Sequence, residues 1–94
     1  TALVDSQIYI MNADGSEKTR LTDSGGEKPF FTPDGRKIIF ETYRDGNWEI
    51  YSMNPDGTQQ TNLTNNSAAD QSADVSVQGK IVFESSRLVG SYQI

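Results

Sequence analysis

Apolar residues in this chain come in short bursts, parted by clusters of Gly, Pro, Asn, Asp, Ser and Thr. The main bursts are Ile8-Tyr9-Ile10, Phe30-Phe31, Ile38-Ile39-Phe40, Ile50-Tyr51 and Ile81-Val82-Phe83. They are rich in β-branched and aromatic side chains, which suit a pleated, half-buried surface. No segment sustains the 3.6-residue apolar spacing of a helix. The turn formers between bursts demand frequent reversals. This pattern predicts strands over Gln7 to Asn12, Lys18 to Thr22, Phe30 to Thr32, Lys37 to Tyr43 and Trp48 to Asn54. Asp14-Gly15 and Pro33-Asp34-Gly35 read as tight turns, where Gly accepts a positive φ and Pro presets a negative one. Arg44-Asp45-Gly46-Asn47 reverses the chain again, and Ser24-Gly25-Gly26 reads as a loop.

The pattern is duplicated. Ile8-Tyr9-Ile10-Met11-Asn12-Ala13-Asp14-Gly15 recurs as Ile50-Tyr51-Ser52-Met53-Asn54-Pro55-Asp56-Gly57, 42 residues on, and Leu21-Thr22 recurs as Leu63-Thr64 at the same offset. Lys37-Ile38-Ile39-Phe40-Glu41-Thr42 returns as Lys80-Ile81-Val82-Phe83-Glu84-Ser85, offset by 43, and Arg44 returns as Arg87. The lead-in recurs too, since Leu3-Val4 precedes Gln7-Ile8 much as Leu88-Val89 precedes Gln93-Ile94. A period of this length holds four short strands and their turns. Repeated four-stranded antiparallel units point to an all-β fold of β-propeller blades. A blade has two faces that neighbouring blades must cover.

Composition narrows the chemistry. The 94 residues include no Cys and no His. No disulfide or thiolate site is available, and a Ser-His-Asp triad cannot be assembled within the chain. Thirteen acidic against eight basic residues give a net charge of −5, which argues against a nucleic-acid partner. No apolar run approaches the length of a membrane-spanning helix, and no stretch reads as a signal peptide. No cofactor motif is present; a cation in a central channel has no motif to support it either.

Pro33-Asp34-Gly35-Arg36-Lys37-Ile38, followed by Arg44-Asp45-Gly46-Asn47, Glu49-Ile50-Tyr51 and Met53-Asn54, resembles the Pro-Asp-Gly repeat of TolB-type β-propellers. The same repeat occurs in propellers attached to prolyl oligopeptidase-like peptidases. The resemblance implies blades running from inner to second, third and outer strand. On that mapping, residues 1–24 supply the third and outer strands of one blade. Residues 25–66 form a complete blade, with Gln59 to Thr64 as its outer strand. Residues 67–94 supply the inner and second strands of a further blade. The chain thus holds two blade equivalents, with incomplete blades at both ends. The second copy replaces Phe31-Thr32-Pro33-Asp34-Gly35 by Val75-Ser76-Val77-Gln78-Gly79, so a longer inner strand and a looser turn are expected there.

Half-blades expose strand edges and apolar faces, here those bearing Ile10, Val82 and Phe83, and such edges seek partners. Three arrangements follow: a piece of a longer propeller, a homo-oligomer closed by half-blade pairing in trans, or open polymerisation. The repeated lead-in favours the piece of a longer gene product.

The resemblance implies a non-enzymatic, extracytoplasmic (periplasmic or secreted) scaffold with a protein partner. Two other readings are an accessory propeller of a serine peptidase and a sugar- or small-ligand-binding propeller. Candidate contact residues are Trp48 and Tyr43, which with Tyr51 and Tyr92 read either as a sugar- or peptide-stacking aromatic patch or as packing between blades, and the repeat-equivalent Arg44 and Arg87 as anion ligands or ties between blades through carbonyls or carboxylates such as Asp45. Carboxylates are the only plausible acid–base groups, and the repeat-equivalent Glu41 and Glu84 would suit glycoside chemistry if paired at the right spacing. As repeat equivalents they are expected instead on strand flanks, paired with Arg or Lys. The Asp-Gly pairs offer lone carboxylates, which is too few for a calcium loop, so they are read as turns.

Overall fold

The computed structural model describes residues 6–65 and 68–86. Arg87, Tyr92 and both copies of the repeated lead-in lie outside the described residues. Among the described residues eight strands follow one another: β1 (Tyr9–Ile10), β2 (Thr19–Arg20), β3 (Glu27–Phe31), β4 (Ile38–Thr42), β5 (Glu49–Met53), β6 (Thr61–Asn62), β7 (Asp70–Val75) and β8 (Ile81–Ser85). They form a β1-β2 pair, a four-stranded sheet in the order β3-β4-β5-β6, and a β7-β8 pair. Every pairing is antiparallel. Among the described residues no helix is long and apolar enough to cross a membrane.

The core lies between the first pair and the central sheet. Ile8 and Leu21 from the first repeat meet Ile38, Phe40, Tyr51 and Met53, all buried, with Ile10 packed against them. Ile10 was expected on an open face. It is half-covered because the neighbouring sheet lies over it. All five residues of β4 are buried, since the first pair covers one face and β7 meets the other. An unbroken Ile-Ile-Phe run is what such a doubly covered strand requires.

The outer junctions repeat almost atom for atom. The Leu21 amide donates to the Ile8 carbonyl at 2.8 Å, and the Leu63 amide donates to the Ile50 carbonyl at 2.8 Å. The Thr22 hydroxyl accepts from the Ile8 amide at 2.9 Å and donates to Gln7 Oε1 at 2.6 Å. The Thr64 hydroxyl likewise accepts from the Ile50 amide at 3.1 Å and donates to Glu49 Oε1 at 2.5 Å.

Two glycines let these layers close. A Cβ at Gly26 would stand 2.8 Å from Ile8 Cδ1 and 3.1 Å from the Phe40 ring. Gly57 has φ +88°, and a Cβ there would stand 3.0 Å from the Leu21 carbonyl oxygen. The turn into β6 therefore backs directly onto the chain following β2. Gln60 seals that contact, donating from Nε2 to the Leu21 carbonyl at 2.9 Å and to the Gly57 carbonyl at 3.0 Å.

Some boundaries differ from the sequence reading. β3 begins at Glu27 rather than Phe30, through a bulge between Glu27 and Phe30. Lys28 takes φ +55° there, and Pro29 follows it. Pro is tolerated because β3 stands at the edge of its sheet. The outer strands shrink to two residues each, Thr19–Arg20 and Thr61–Asn62. The turn after β7 was expected to be looser than that after β3, and it is tighter. Ser76 donates to the Lys80 carbonyl at 2.8 Å and accepts from the Gly79 amide at 2.9 Å, where Thr32 pairs with Lys37 and Gly35. Gly79 keeps φ +86°, so loss of the Pro and Asp shortens the turn by one residue without opening it.

Candidate functional site

The hairpin joining β4 to β5 carries three of the four candidate contact residues. Tyr43 and Trp48 flank the turn, both half-buried, with their rings edge to face at 5.5 Å between centroids. An edge-to-face pair is a favoured arrangement for two ring quadrupoles. The turn is fastened from below: the Trp48 carbonyl accepts from the Asp70 amide at 2.8 Å, and Asn47 Nδ2 donates to the Ala68 carbonyl at 2.7 Å. The aromatic pair therefore sits on a hairpin held by the start of the next sheet.

Arg44 points the other way, into the framework. Its guanidinium lies 4.7 Å from the Tyr51 ring centre and 5.5 Å from that of Phe40. Nη1 donates to Gln60 Oε1 at 2.8 Å, and Nη2 donates to the Gly25 carbonyl at 3.0 Å. Arg44 thus links the central sheet to the loop before β3 and to the Gln60 seal. Asp45, considered as its partner, accepts instead from the Tyr51 hydroxyl and, at 3.2 Å, from Asn62 Nδ2. The Tyr51 phenol is pushed up to about 12, first by burial and then by its bond to Asp45. Arg87 lies outside the described residues.

The carboxylates do not form a site of paired acids. Glu41 is buried, not flanking, and its Oε2 accepts the Ser72 amide of the next sheet at 2.7 Å. The expected Arg or Lys partner is replaced by a backbone amide, because the bulge in β7 turns that amide toward β4. Oε1 of Glu41 is buried with no hydrogen-bond partner among the described residues. Its repeat equivalent Glu84 is exposed on β8. Glu49 is also buried and holds Thr64. Sequence reasoning passed over Glu49 and Gln60. The signal available for Glu49 was its place opposite Gln7 in the repeat.

Three of the Asp-Gly turns are built alike. Asp14 Oδ1 accepts from the Ser16 amide and hydroxyl at 2.9 and 2.6 Å. Asp34 accepts from the Arg36 amide and the Thr32 hydroxyl at 3.0 and 2.7 Å. Asp56 accepts from the Thr58 amide and hydroxyl at 3.0 and 2.5 Å. These bonds hold the carboxyls below the ordinary value of 3.8, led by the Ser16 hydroxyl at Asp14, the Arg36 amide at Asp34 and the Thr58 hydroxyl at Asp56. A lowered folded-state value means stability that is complete above 3.8 and is lost as pH falls through the lowered values. Urea midpoints should therefore drop on acidification below that point. The triple variant D14N/D34N/D56N should show a flatter acid limb. An acid limb unchanged in the variant would refute this assignment.

Comparisons with known proteins agree with this architecture. The profile of the TolB beta propeller domain matches residues 2–94. A Tol-Pal system protein TolB of Bordetella pertussis is 54% identical over 44 residues, which is 44% of this chain and 10% of that protein. A TolB homolog of Chlorobium chlorochromatii is 43% identical over 42 residues, or 43% of this chain and 10% of the homolog. A solved structure assigned to TolB of Agrobacterium tumefaciens superposes with a TM-score of 0.76 at 33% identity, covering 84% of this chain and 30% of that one. The matched segment thus spans about a tenth of the curated relatives' length.

Proposed function

The chain belongs to the TolB β-propeller family, and from that membership we propose that it serves as a non-enzymatic propeller module that binds another protein outside the cytoplasm. The observation that carries this reading is the family match along residues 2–94. The relatives' name places them in a Tol-Pal system, which makes a component of such a system the first partner to test. The buried acids support a role without catalysis. Glu41 and Glu49 are spent on bonds between strands and sheets, and Glu84 stands apart on β8. The contact surface in this reading is the Tyr43–Trp48 pair, which combines large apolar area with few rotatable bonds. Arg44 serves it from behind by fixing the hairpin.

Trp48 is the only tryptophan, so its fluorescence reports on this surface. Titrating purified Pal protein into the chain should give a saturable change in emission, with matching heat by calorimetry. Trp48→Ala should weaken binding measured by calorimetry at least tenfold, about 1.4 kcal/mol or more, while leaving the β-sheet circular dichroism unchanged. Binding that is undiminished in Trp48→Ala would move the contact elsewhere. No binding to any Tol-Pal component would overturn the proposed role.

A further inference from the structure

Two surfaces of this chain are incomplete in complementary ways. One is a groove of about 110 Å³ between β1 and β3, walled by Ile8, Ile10, Phe30 and Phe31 among others. Tyr9 and Phe31 stand beside it 62% and 51% exposed. The other is the face of β8 bearing Val82, which is 66% exposed, and the exposed Glu84.

The junction inside the chain shows how such surfaces fit. The Ile39–Glu41 face of β4 lies toward β7, and both residues are 2% exposed. Glu41 Oε2 accepts the Ser72 amide at 2.7 Å, and Ser72 sits in the bulge of β7 at φ +59°. Val82 and Glu84 are the equivalents of Ile39 and Glu41, offset by 43 residues. Lys28, in the bulge of β3 at φ +55°, is the equivalent of Ser72. Among the described residues no side chain accepts from the Lys28 amide. The donor and acceptor of a second such bond therefore both exist in the chain, and they do not meet within it. Their side chains are also opposite in charge.

We propose that β8 of one copy docks against the β1–β3 groove of a second copy, Val82 entering the groove and Glu84 accepting the Lys28 amide. β8 then stands to β1 and β3 of its neighbour as β4 stands to β5 and β7 within the chain. The contact is heterologous, so copies join head to tail and either close into a ring or extend. The inference rests on the equivalence of the repeats and is independent of any other protein partner.

The absence of cysteine allows a direct test. Glu84→Cys and Lys28→Cys chains are prepared separately, mixed, and treated with a short thiol-to-thiol cross-linker. Cross-linked heterodimer should exceed the two homodimers combined by several-fold. Replacing the Lys28→Cys partner by Asp23→Cys, at another exposed position, should remove that excess. Light scattering of the unmodified chain should show mass rising above one copy with concentration. Val82→Arg, a change at an exposed residue, should shift that rise to at least tenfold higher concentration with unchanged circular dichroism. Heterodimer no more abundant than homodimer would overturn the proposal. So would a mass of one copy at every concentration, which would assign the groove to neighbouring blades of a longer polypeptide.

Discussion

Phe40→Ala should unfold most of this chain under conditions where Phe83→Ala leaves it folded. The two phenylalanines are repeat equivalents with different surroundings. Phe40 is 1% exposed, whereas Phe83 is 39% exposed. The Phe40 ring meets that of Tyr51 at 5.7 Å with a 41° tilt, lies beneath the Arg44 guanidinium, and limits Gly26 to a bare backbone. Removing a large buried ring forfeits its transfer free energy and leaves a void that neighbours fill only in part, at about 3–5 kcal/mol. The whole stability of a domain this size is on the order of 5–15 kcal/mol. Denaturant unfolding followed by circular dichroism should show the Phe40→Ala midpoint lowered by the equivalent of about 3–5 kcal/mol. Phe83→Ala should cost less than about 1.5 kcal/mol. Equal costs would mean that the last sheet is as enclosed as the central one, contrary to the exposure described.

Arg44→Ala carries the next largest expected effect. The side chain makes three charge-assisted hydrogen bonds, to Gln60, to the Gly25 carbonyl and, longer at 3.3 Å, to the Thr42 hydroxyl, and caps two aromatic rings. Hydrogen bonds to a charged group contribute about 1.5–3 kcal/mol, and a half-desolvated cation over a ring adds about 0.5–2 kcal/mol. These contributions overlap, so a loss of about 2–4 kcal/mol is expected. Arg44→Lys should recover less than half of it, because a point charge cannot reach Gln60 and Gly25 together while covering the rings. A double variant with Gln60→Ala should cost less than the sum of the singles, since the two residues share one bond. Strict additivity would show that the Arg44–Gln60 bond contributes nothing.

The readability of the sequence varied with how local each cause was. β4 and β5 announced themselves through Ile38-Ile39-Phe40 and Ile50-Tyr51, because burial of consecutive side chains leaves a mark in the residues themselves. Turns with Asp-Gly did so through the demand for positive φ. β3 hid its first half behind Lys28 and Pro29. A residue in the left-handed region followed by a proline argues against a strand, unless a bulge at a sheet edge is already known. Glu41 hid for another reason. A glutamate in a strand reads as a solvent-facing flank, and its burial depends on an amide presented by Ser72, thirty-one residues away. Arg44 and Gln60 were similarly opaque, since each is defined by groups brought in from other repeats. For the aromatic surface, Tyr43 and Trp48 were picked out by type and loop position, and only the fold shows that they meet.

Gly57 has a consequence for geometry on a larger scale. Its bare backbone lies against Leu21, where the outer portions of two successive sheets touch. Successive sheets fan about an axis like wedges, and the thickness at the wide end fixes the angle of each. A side chain at this position would thicken the wide end and enlarge the angle, so that fewer wedges would complete a full turn. A single hydrogen atom at residue 57 thus helps to set how many units any closed circle of these repeats can contain.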